Sequence, residues 1–296
     1  MRSMMNERKS KILISYLFVL PALLFVVVFL LIPMIQNVYY SFFAWNGLSK
    51  PIFIGLKNFQ KCFVDPNFVR SFMNTIIWVV FTLLVPVSFA LLVAVFLKEI
   101  KGGSFFKGVF FIPLTISFVS TGVIWINMFS TKGVLNTIIT AVTRNPDTVS
   151  WLTQVPLNTI AMLIAWTWQQ MGVYMVLFLM GLTTIPQDPI EAAVIDGANK
   201  FQIFKAVTFP MLQPITTVVI TQAIVNSFKT FDLIYVITHG GPYRSSETMA
   251  VTMYRETFSM FNMGYGAAIS LVLSAIIIII SGGYVKSQLK QDLLHY

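Results

Sequence analysis

The chain is organised around one polar stretch, Asp188-Pro189-Ile190-Glu191-Ala192-Ala193-Val194-Ile195-Asp196-Gly197-Ala198-Asn199, which runs on through Lys200 and Lys205 to Pro210 and Pro214. Long apolar blocks precede and follow this stretch. Of the 296 residues, 56% are hydrophobic and 10% are charged, and the mean hydropathy is +0.78. A typical soluble protein carries about 25% charged residues. Composition therefore predicts a polytopic membrane protein.

The apolar blocks predict six transmembrane helices, since about 20 apolar residues cross a hydrocarbon core of about 30 Å. The predicted spans are residues 12–35, 74–97, 109–128, 157–182, 211–236 and 265–285. The first run is longer than the roughly 7 to 15 residues of a signal-peptide core and lacks a cleavage pattern, so we expect an uncleaved span. Little chain remains outside the spans. We therefore expect one all-α transmembrane domain over residues 1–296.

The cations predict the orientation of these spans. They cluster at the termini and in the short connections after spans two and four, at Arg2, Arg8, Lys9, Lys11, Lys98, Lys101, Lys107, Lys200, Lys205, Lys286 and Lys290. Short cation-rich segments stay on the cytoplasmic side of a membrane. We interpret the net charge of +9 as this bias rather than as a surface for nucleic acid. Both termini and the polar stretch are therefore expected in the cytoplasm.

The polar stretch predicts two short helices joined by a tight turn. Asp188 suits a helix cap, Pro189 suits the first helical position, and Glu191 follows the cap at the spacing of a capping box. Gly197 would end the first helix, because glycine accepts the left-handed conformation. A second helix over about Lys200–Thr208 would carry an apolar stripe. Another surface must cover this stripe, and the residues alone leave three alternatives open: the chain's own helix bundle, a separate protein or the membrane surface.

The stretch resembles the signature loop of permease subunits of binding-protein-dependent ATP-binding-cassette importers. The matching positions are Glu191-Ala192-Ala193, Asp196-Gly197-Ala198, Phe204, Val207, Phe209-Pro210 and Pro214. Other segments are similar to carbohydrate-uptake class 1, in the maltose and glycerol-phosphate permease subfamily: Gly55-Leu56-Lys57-Asn58-Phe59, Asn74-Thr75, Phe105-Phe106, Phe111-Ile112-Pro113, Phe231-Asp232, Thr238-His239-Gly240-Gly241-Pro242 and Phe261 to Ala268. His239 stands where that subfamily usually has glycine.

The resemblance implies how this chain would work. The cytoplasmic helices 188–209 would couple it to a separate ATPase, through Glu191, Ala192, Ala193, Asp196, Gly197, Phe201 and Phe204. Two partner ATPase subunits would bind ATP and Mg, and this chain itself would bind no cofactor. A second, homologous permease would complete a heterodimer, and an extracytoplasmic binding protein would deliver a sugar. Transport across the cytoplasmic membrane would proceed by alternating access.

Polar residues inside spans four and five are candidates for the substrate pathway. By position in maltose-type permeases, Gln169, Tyr174, Ser227 and Thr230 lie closest to sugar contacts, and Asn226 shares a helical face with Thr230. Other interpretations stay open. Trp166 and Trp168 equally fit interface anchors, and Asn226 equally fits a bond between helices. The spacing of Lys229 and Asp232 favours an internal ion pair.

The sequence carries no nucleotide-binding loop of the G-x-x-x-x-G-K-[ST] kind and no Ser/His/Asp or metal-ligand constellation, so we expect a non-catalytic chain. His239 and His295 are predicted on opposite sides of the membrane, which argues against a shared metal. Cys62, the single cysteine, cannot form an internal disulfide. A secondary transporter is the alternative function, with Asp232 as its candidate intramembrane carboxylate.

Overall fold

The computed structural model describes residues 16–100, 103–145 and 147–292. The predicted features at Arg2, Arg8, Lys9, Lys11, residues 12–15, Lys101 and His295 lie outside the described residues. The chain divides into two compact units. One contains the residues up to Cys62 together with Arg255–Leu271, and the other contains Phe63–Tyr254 together with the residues from Val272 onward.

Most of the described residues are helical, as predicted. A first helix covers Tyr16–Tyr40. The helices that follow in chain order are Lys57–Val64, Pro66–Thr82, Leu83–Val87, Ser88–Glu99, Gly103–Phe111, Ile112–Thr115, Phe118–Phe129, Val134–Thr143, Leu157–Thr184, Asp188–Ile195, Lys200–Ile203, Phe204–Thr208, Phe209–Met211, Gln213–Phe228, Asp232–Thr238, Met249–Tyr254, Arg255–Ser259 and Met263–Asp292. Strands Phe43–Ala44 and Ile52–Phe53 form an antiparallel ribbon, with Phe43 opposite Phe53.

Four continuous helices of the described residues are long and apolar enough to cross a membrane. They are Tyr16–Tyr40, Pro66–Lys98, Leu157–Thr184 and Met263–Lys290, and they correspond to predicted spans one, two, four and six. Span two begins at Pro66, earlier than predicted. There the carboxylate of Asp65 accepts a hydrogen bond of 2.9 Å from the amide of Asn67 and caps the helix.

In the first unit, polar side chains fix segments that are distant in sequence. The amide nitrogen of Asn37 donates a hydrogen bond of 2.7 Å to the hydroxyl of Ser270 and so joins span one to the start of span six. Asn58 donates to the carbonyls of Ser41 and Phe43 at 2.9 Å each. Outside these contacts, span one exposes a long apolar surface, as a helix in lipid or against another membrane chain does.

The third span is broken, which corrects the single helix predicted over 109–128. Its two parts, Phe105–Thr115 and Phe118–Thr143, meet at an angle of 100°. Pro113 lies in a 3-10 turn, and Ile116 is extended. Ser117 then caps the next helix by accepting a hydrogen bond of 3.2 Å from the amide of Ser120. A new cap and a proline explain the break, because each favours a helix boundary.

The fifth span is also broken, which corrects the single helix predicted over 211–236. Lys200–Met211 and Gln213–Phe228 meet at 71°. The second of these helices ends at Phe228, and a short helix, Asp232–Thr238, follows after a three-residue break. We call residues 229–231 the span-five break.

Span four is the central helix of the second unit. Trp166, at its middle, donates from its indole nitrogen to the hydroxyl of Thr82 at 3.0 Å and meets Trp78 edge to face, with ring centroids 5.5 Å apart. About two turns further along, the buried Ala90 and Ala94 of span two belong to the same core cluster as Tyr174 and Phe178 of span four. Small residues let membrane helices approach closely.

Gly172 marks the closest approach of span four to the third span. A Cβ built at Gly172 would lie 2.3 Å from the carbonyl oxygen of Phe110. Because this oxygen belongs to the backbone, relieving the clash would require a shift of the main chain. Gly172→Ala should therefore destabilise the protein by about 1–3 kcal/mol, as overpacking does. Gly283→Ala is the control, because nothing lies within 4 Å of a Cβ at that helical glycine. Thermal unfolding in detergent measures both, and equal midpoints would contradict this packing.

Candidate functional site

A cavity of about 390 Å³ lies among the middle spans of the second unit. Its volume falls within the about 300–1,000 Å³ of small-molecule sites. Three parts of the chain form its wall: Leu114 and Phe118 at the break of the third span; Trp166, Gln170 and Val173 of span four; and Gln222, Asn226, Lys229, Thr230, Phe231, Asp232 and Leu233 of span five. Both helix breaks therefore open onto this cavity.

The span-five break forms the most polar part of the wall. It places the carboxyl end of helix Gln213–Phe228 and the amino end of helix Asp232–Thr238 next to each other. Helix ends expose carbonyl and amide groups, and a break at membrane depth is stable only where these groups meet protein or a polar cavity. Discontinuous helices of this kind form the substrate sites of many transporters.

Lys229 and Asp232 are both exposed on this wall. The predicted ion pair between them is wrong, since no N···O distance of 4.0 Å or less joins them. The break ends one helix before the next begins, so the three-residue spacing no longer places the two side chains on one face. Each charge instead lies at a favourable helix end, the cation at a carboxyl terminus and the carboxylate at an amino terminus.

Aromatic rings and amides supply the remaining wall. Phe118 stacks on Trp166 with centroids 5.7 Å apart, and Phe231 stacks on Tyr235 at 5.0 Å. Trp166 itself is buried, so Phe118 and Phe231 are the half-buried rings beside the cavity. Together with the amides of span five, they provide apolar faces and hydrogen-bonding groups in one small space.

The structure separates the predicted pathway residues into two groups. Asn226 and Thr230 lie on the cavity wall. Gln169, Tyr174 and Ser227 are buried and are not part of it. The amide nitrogen of Gln169 donates to the carbonyl of Ile116 at 2.9 Å, and Ser227 donates to the carbonyl of Ala223 within its own helix at 2.7 Å. Roles in transport stay predictions for all five.

Several wall residues are not among the five predicted for the substrate pathway. Gln222 and Lys229 are polar residues of span five that repeat with Asn226 at helical spacing, so the sequence places them on the same face. Phe118 and Phe231 could not be found in this way. They reach the cavity because each lies at a helix break, and the helices that flank these breaks pack against span four.

The polar stretch folds into the predicted helix, turn and helix at the opposite end of span five from the span-five break. Gly197, whose φ is +82°, follows helix Asp188–Ile195 and terminates it. The amide of Ala198 donates a hydrogen bond of 3.0 Å to the carbonyl of Ala193, and the amide of Gly197 donates one of 3.0 Å to the carbonyl of Val194. This is the Schellman pattern of a glycine-terminated helix.

The predicted cap at Asp188 is wrong, because Asp188 is itself the first helical residue and Gln187 precedes it without a side-chain cap. The capping box occurs eleven residues further on instead. Asn199 accepts from the amide of Gln202 at 2.9 Å, and the side chain of Gln202 accepts from the amide of Asn199 at 2.8 Å. This box satisfies two amides at the start of the second helix.

The two helices expose an apolar and acidic surface. Ile195 is 85% exposed and Phe201 is 72% exposed, and Val194 and Phe209 are exposed beside them. Phe204 is half-buried against Phe209, with centroids 6.0 Å apart. Glu191 is exposed in the first turn of its helix. Large exposed apolar side chains next to charges are typical of a surface that binds another protein.

Residues 68–291 match the model of the family described as binding-protein-dependent transport system inner membrane component. The chain belongs to this family. The predicted membership of the permease subunits of binding-protein-dependent importers is thereby confirmed, and the protein is a multi-pass permease of the inner membrane. Its candidate spans are membrane helices.

Similar permeases come from diverse organisms. The osmoprotective compounds uptake permease protein GgtC of Synechocystis is 35% identical, with 88% of this chain and 94% of that protein covered. The probable starch degradation products transport system permease protein AmyD of Thermoanaerobacterium thermosulfurigenes is 35% identical over 90% of each chain. The arabinooligosaccharides transport system permease protein AraP of Bacillus subtilis is 32% identical, with 92% of this chain and 87% of that protein covered.

Solved structures share the fold of the permease. A chain of a bacterial ABC transporter that imports the acidic polysaccharide alginate superposes with a TM-score of 0.85 at 20% identity, covering 98% of this chain and 99% of that chain. A chain of the alginate transporter in complex with a pentasaccharide-bound periplasmic protein gives 0.82 at 19% identity, with 94% of each chain covered. The broken spans therefore belong to an importer permease fold.

The cavity wall of the permease can be tested with single cysteines in a Cys62→Ala background. Cys62 is the only native cysteine. Lys229→Cys should react with a maleimide at least about tenfold faster than Ser227→Cys, because thiol reactivity follows exposure. Lys229 is exposed on the wall, whereas Ser227 is buried two positions away. Labelling of the purified protein followed by mass spectrometry measures both rates. Equal rates would contradict the cavity.

Proposed function

We propose that this permease carries a sugar or oligosaccharide across the cytoplasmic membrane through the cavity at the span-five break. The observation that carries the proposal is the cavity itself, which two broken helices of an importer permease line with aromatic rings, amides and a hydroxyl. Sugars present both hydroxyl groups and apolar ring faces. Amides such as Gln222 and Asn226 pair with hydroxyls, and rings such as Phe118 and Phe231 pack on the apolar faces.

The names of the relatives support this substrate class. AmyD is named for starch degradation products and AraP for arabinooligosaccharides. Both are similar to this chain over nearly all of its length, including the segments that form the cavity. We extend to this permease the class that these names share, a carbohydrate of one or a few rings.

A partner ATPase is proposed to dock on the helices 188–209, which we call the coupling helices. The residues proposed for this interface are Glu191, Ala192, Ala193, Asp196, Gly197, Phe201 and Phe204. Exposed Phe201 and Ile195 support an interface with apolar anchors, and Glu191 adds a charge that can set its register. ATP and Mg would be bound by two such ATPase subunits, and this chain would bind no cofactor and perform no hydrolysis.

The contacts of span six support a common side for the carboxyl-terminal end and the coupling helices. The side chain of Gln213, at the start of span five, donates to that of Gln288 near the end of span six at 3.1 Å. Lys286 and Lys290 lie beside Gln288 on this helix, and Lys200 and Lys205 lie on the coupling helices. This concentration of cations fits the cytoplasmic side. We propose that both termini are cytoplasmic.

The proposed mechanism is alternating access by a heterodimer of this permease and a second, homologous permease. At rest the cavity would open to the cytoplasm. ATP-driven closure of the two ATPase subunits would move the coupling helices and turn the cavity outward, where an extracytoplasmic binding protein delivers the sugar. The helix breaks support such a motion, because break residues can absorb changes in φ and ψ while the flanking helices move as rigid bodies.

Gly197 offers a sharp test of the coupling helices. Its φ of +82° strains other residues, and no atom lies within 4 Å of an added Cβ, so conformation rather than space decides a substitution. The left-handed conformation costs most residues about 1–2 kcal/mol, with asparagine the exception. Gly197→Val should therefore lower recovery of the co-expressed ATPase by about fivefold or more, whereas Gly197→Asn should retain it. Equal recovery with both variants would contradict this role of the turn.

Transport itself is tested in proteoliposomes that contain both permeases and the ATPase. We expect uptake of labelled neutral oligosaccharides only when ATP is on the ATPase side and the binding protein is on the other side. An ion gradient without ATP should give no uptake. Uptake driven by the gradient alone would instead identify a secondary transporter and overturn the proposed function.

A further inference from the structure

The connection between spans five and six contains a strained loop, His239–Thr248, which we call the outer loop. His239, Tyr243 and Arg244 have φ values of 52°, 51° and 60°, and Gly240 has a φ of 81°. A left-handed conformation costs a residue other than glycine about 1–2 kcal/mol. Such conformations persist only where surrounding contacts impose them. The shape of this loop is therefore determined by what holds it.

Two buried asparagines hold the outer loop from neighbouring helices. The side-chain nitrogen of Asn74, on span two, donates to the carbonyls of Ser245 and Glu247 at 2.8 Å each. That of Asn158, on span four, donates to the carbonyl of Gly241 at 2.8 Å and to the hydroxyl of Ser245 at 3.1 Å. The loop is thus tied to two spans at three of its backbone carbonyls.

A buried ion pair fixes the inside of the loop. Glu247 is 1% exposed, and one of its carboxylate oxygens accepts a hydrogen bond of 2.9 Å from the Nε of Arg244. A second guanidinium nitrogen of Arg244 lies 2.8 Å from the same oxygen and completes an ion pair. The same oxygen accepts from the hydroxyl of Thr252 at 2.8 Å. A movement that separates a buried carboxylate from its cation is costly, because it leaves an uncompensated charge. The outer loop therefore moves as one body.

The next residue connects this body to the cavity. The hydroxyl of Thr248, which is buried, donates to the backbone carbonyl of Thr230 at 2.8 Å. Thr230 belongs to the span-five break and lines the cavity. The break removes the helical amide that would otherwise bond this carbonyl, so the hydroxyl of Thr248 replaces it. A displacement of the outer loop consequently acts on the cavity wall.

The tip of the outer loop presents an exposed aromatic side chain. The side chain of Tyr243 is 93% exposed, although its backbone carbonyl accepts from Arg70 at 3.3 Å. A fully exposed aromatic on a rigid backbone loses little entropy on binding and is a frequent anchor of protein interfaces. The loop lies at the far end of span five from the coupling helices, and the family requires a binding protein for transport.

We propose that Tyr243 is an anchor for the binding protein and that the hydrogen bond from Thr248 to Thr230 couples its docking to the cavity. Docking moves the rigid outer loop. Through its hydrogen bond, the hydroxyl of Thr248 then moves the backbone carbonyl of Thr230, and this shift of the span-five break changes how accessible residue 229 is from the cavity. This coupling rests on the proposed function, because it requires an extracytoplasmic binding protein. It assigns a specific side-chain contact to the connection between docking and transport.

The test measures maleimide labelling of Lys229→Cys, in the Cys62→Ala background, in the assembled importer with and without binding protein. With Thr248 intact, addition of the binding protein should change the labelling rate by about threefold or more, as a modest population shift does. Thr248→Val should abolish this change without altering affinity for the binding protein. Thr221→Val is the matched control, since its hydroxyl donates only along its own helix, to Thr217.

A conservative variant separates the hydrogen bond from general damage. Thr248→Ser keeps the hydroxyl and should keep the response, and Tyr243→Ala should weaken binding of the binding protein at least about tenfold, as loss of an anchor residue does. A response that survives Thr248→Val, no response in the parent importer, or full affinity after Tyr243→Ala would overturn the proposal. If the binding protein fails to bind or to support uptake with the parent importer, the proposed function itself is wrong.

Discussion

The structure depends on one constraint: within a membrane, every backbone amide and carbonyl needs a partner inside the protein or in a polar cavity. Continuous helices meet it along spans one, two, four and six. Spans three and five are broken, and each break has identifiable partners. The side chain of Gln169 binds the carbonyl of Ile116 at the first break, and the hydroxyl of Thr248 binds that of Thr230 at the second. Polar residues next to the second break, such as Lys229 and Asp232, line the cavity.

This constraint also places function. Gln169 of span four supports the first break, Thr248 of the outer loop supports the second, and the cavity lies between the two breaks. The same broken helix, span five, begins beside the coupling helices and ends beside the outer loop. One element thus contacts all three regions that a transport cycle must connect. The buried contacts of Asn74, Asn158 and Glu247 hold the outer loop at the far end of span five.

Much of this could be predicted from local patterns. Apolar length predicted the membrane helices, and Gly197 predicted the turn of the coupling helices. The continuous helices predicted for spans three and five were wrong, and so were two side-chain interactions predicted from helical spacing. Lys229 and Asp232 do not pair because a break intervenes between them. Asp188 does not cap its helix because the helix starts one residue earlier than the capping pattern suggests, whereas Asn199 and Gln202 form the box.

The sequence by itself determined the membrane class, the family and the helix–turn–helix at Gly197, because apolar length, glycine conformation and fixed motif spacing act over a few residues. Only the tertiary structure decided where spans three and five break, and therefore which side chains line the cavity. A break is stable when a distant group, such as Gln169 or Thr248, satisfies the freed carbonyl. Hydrogen bonds between residues far apart in the chain leave no periodic pattern in the sequence, so the sequence alone could not predict them.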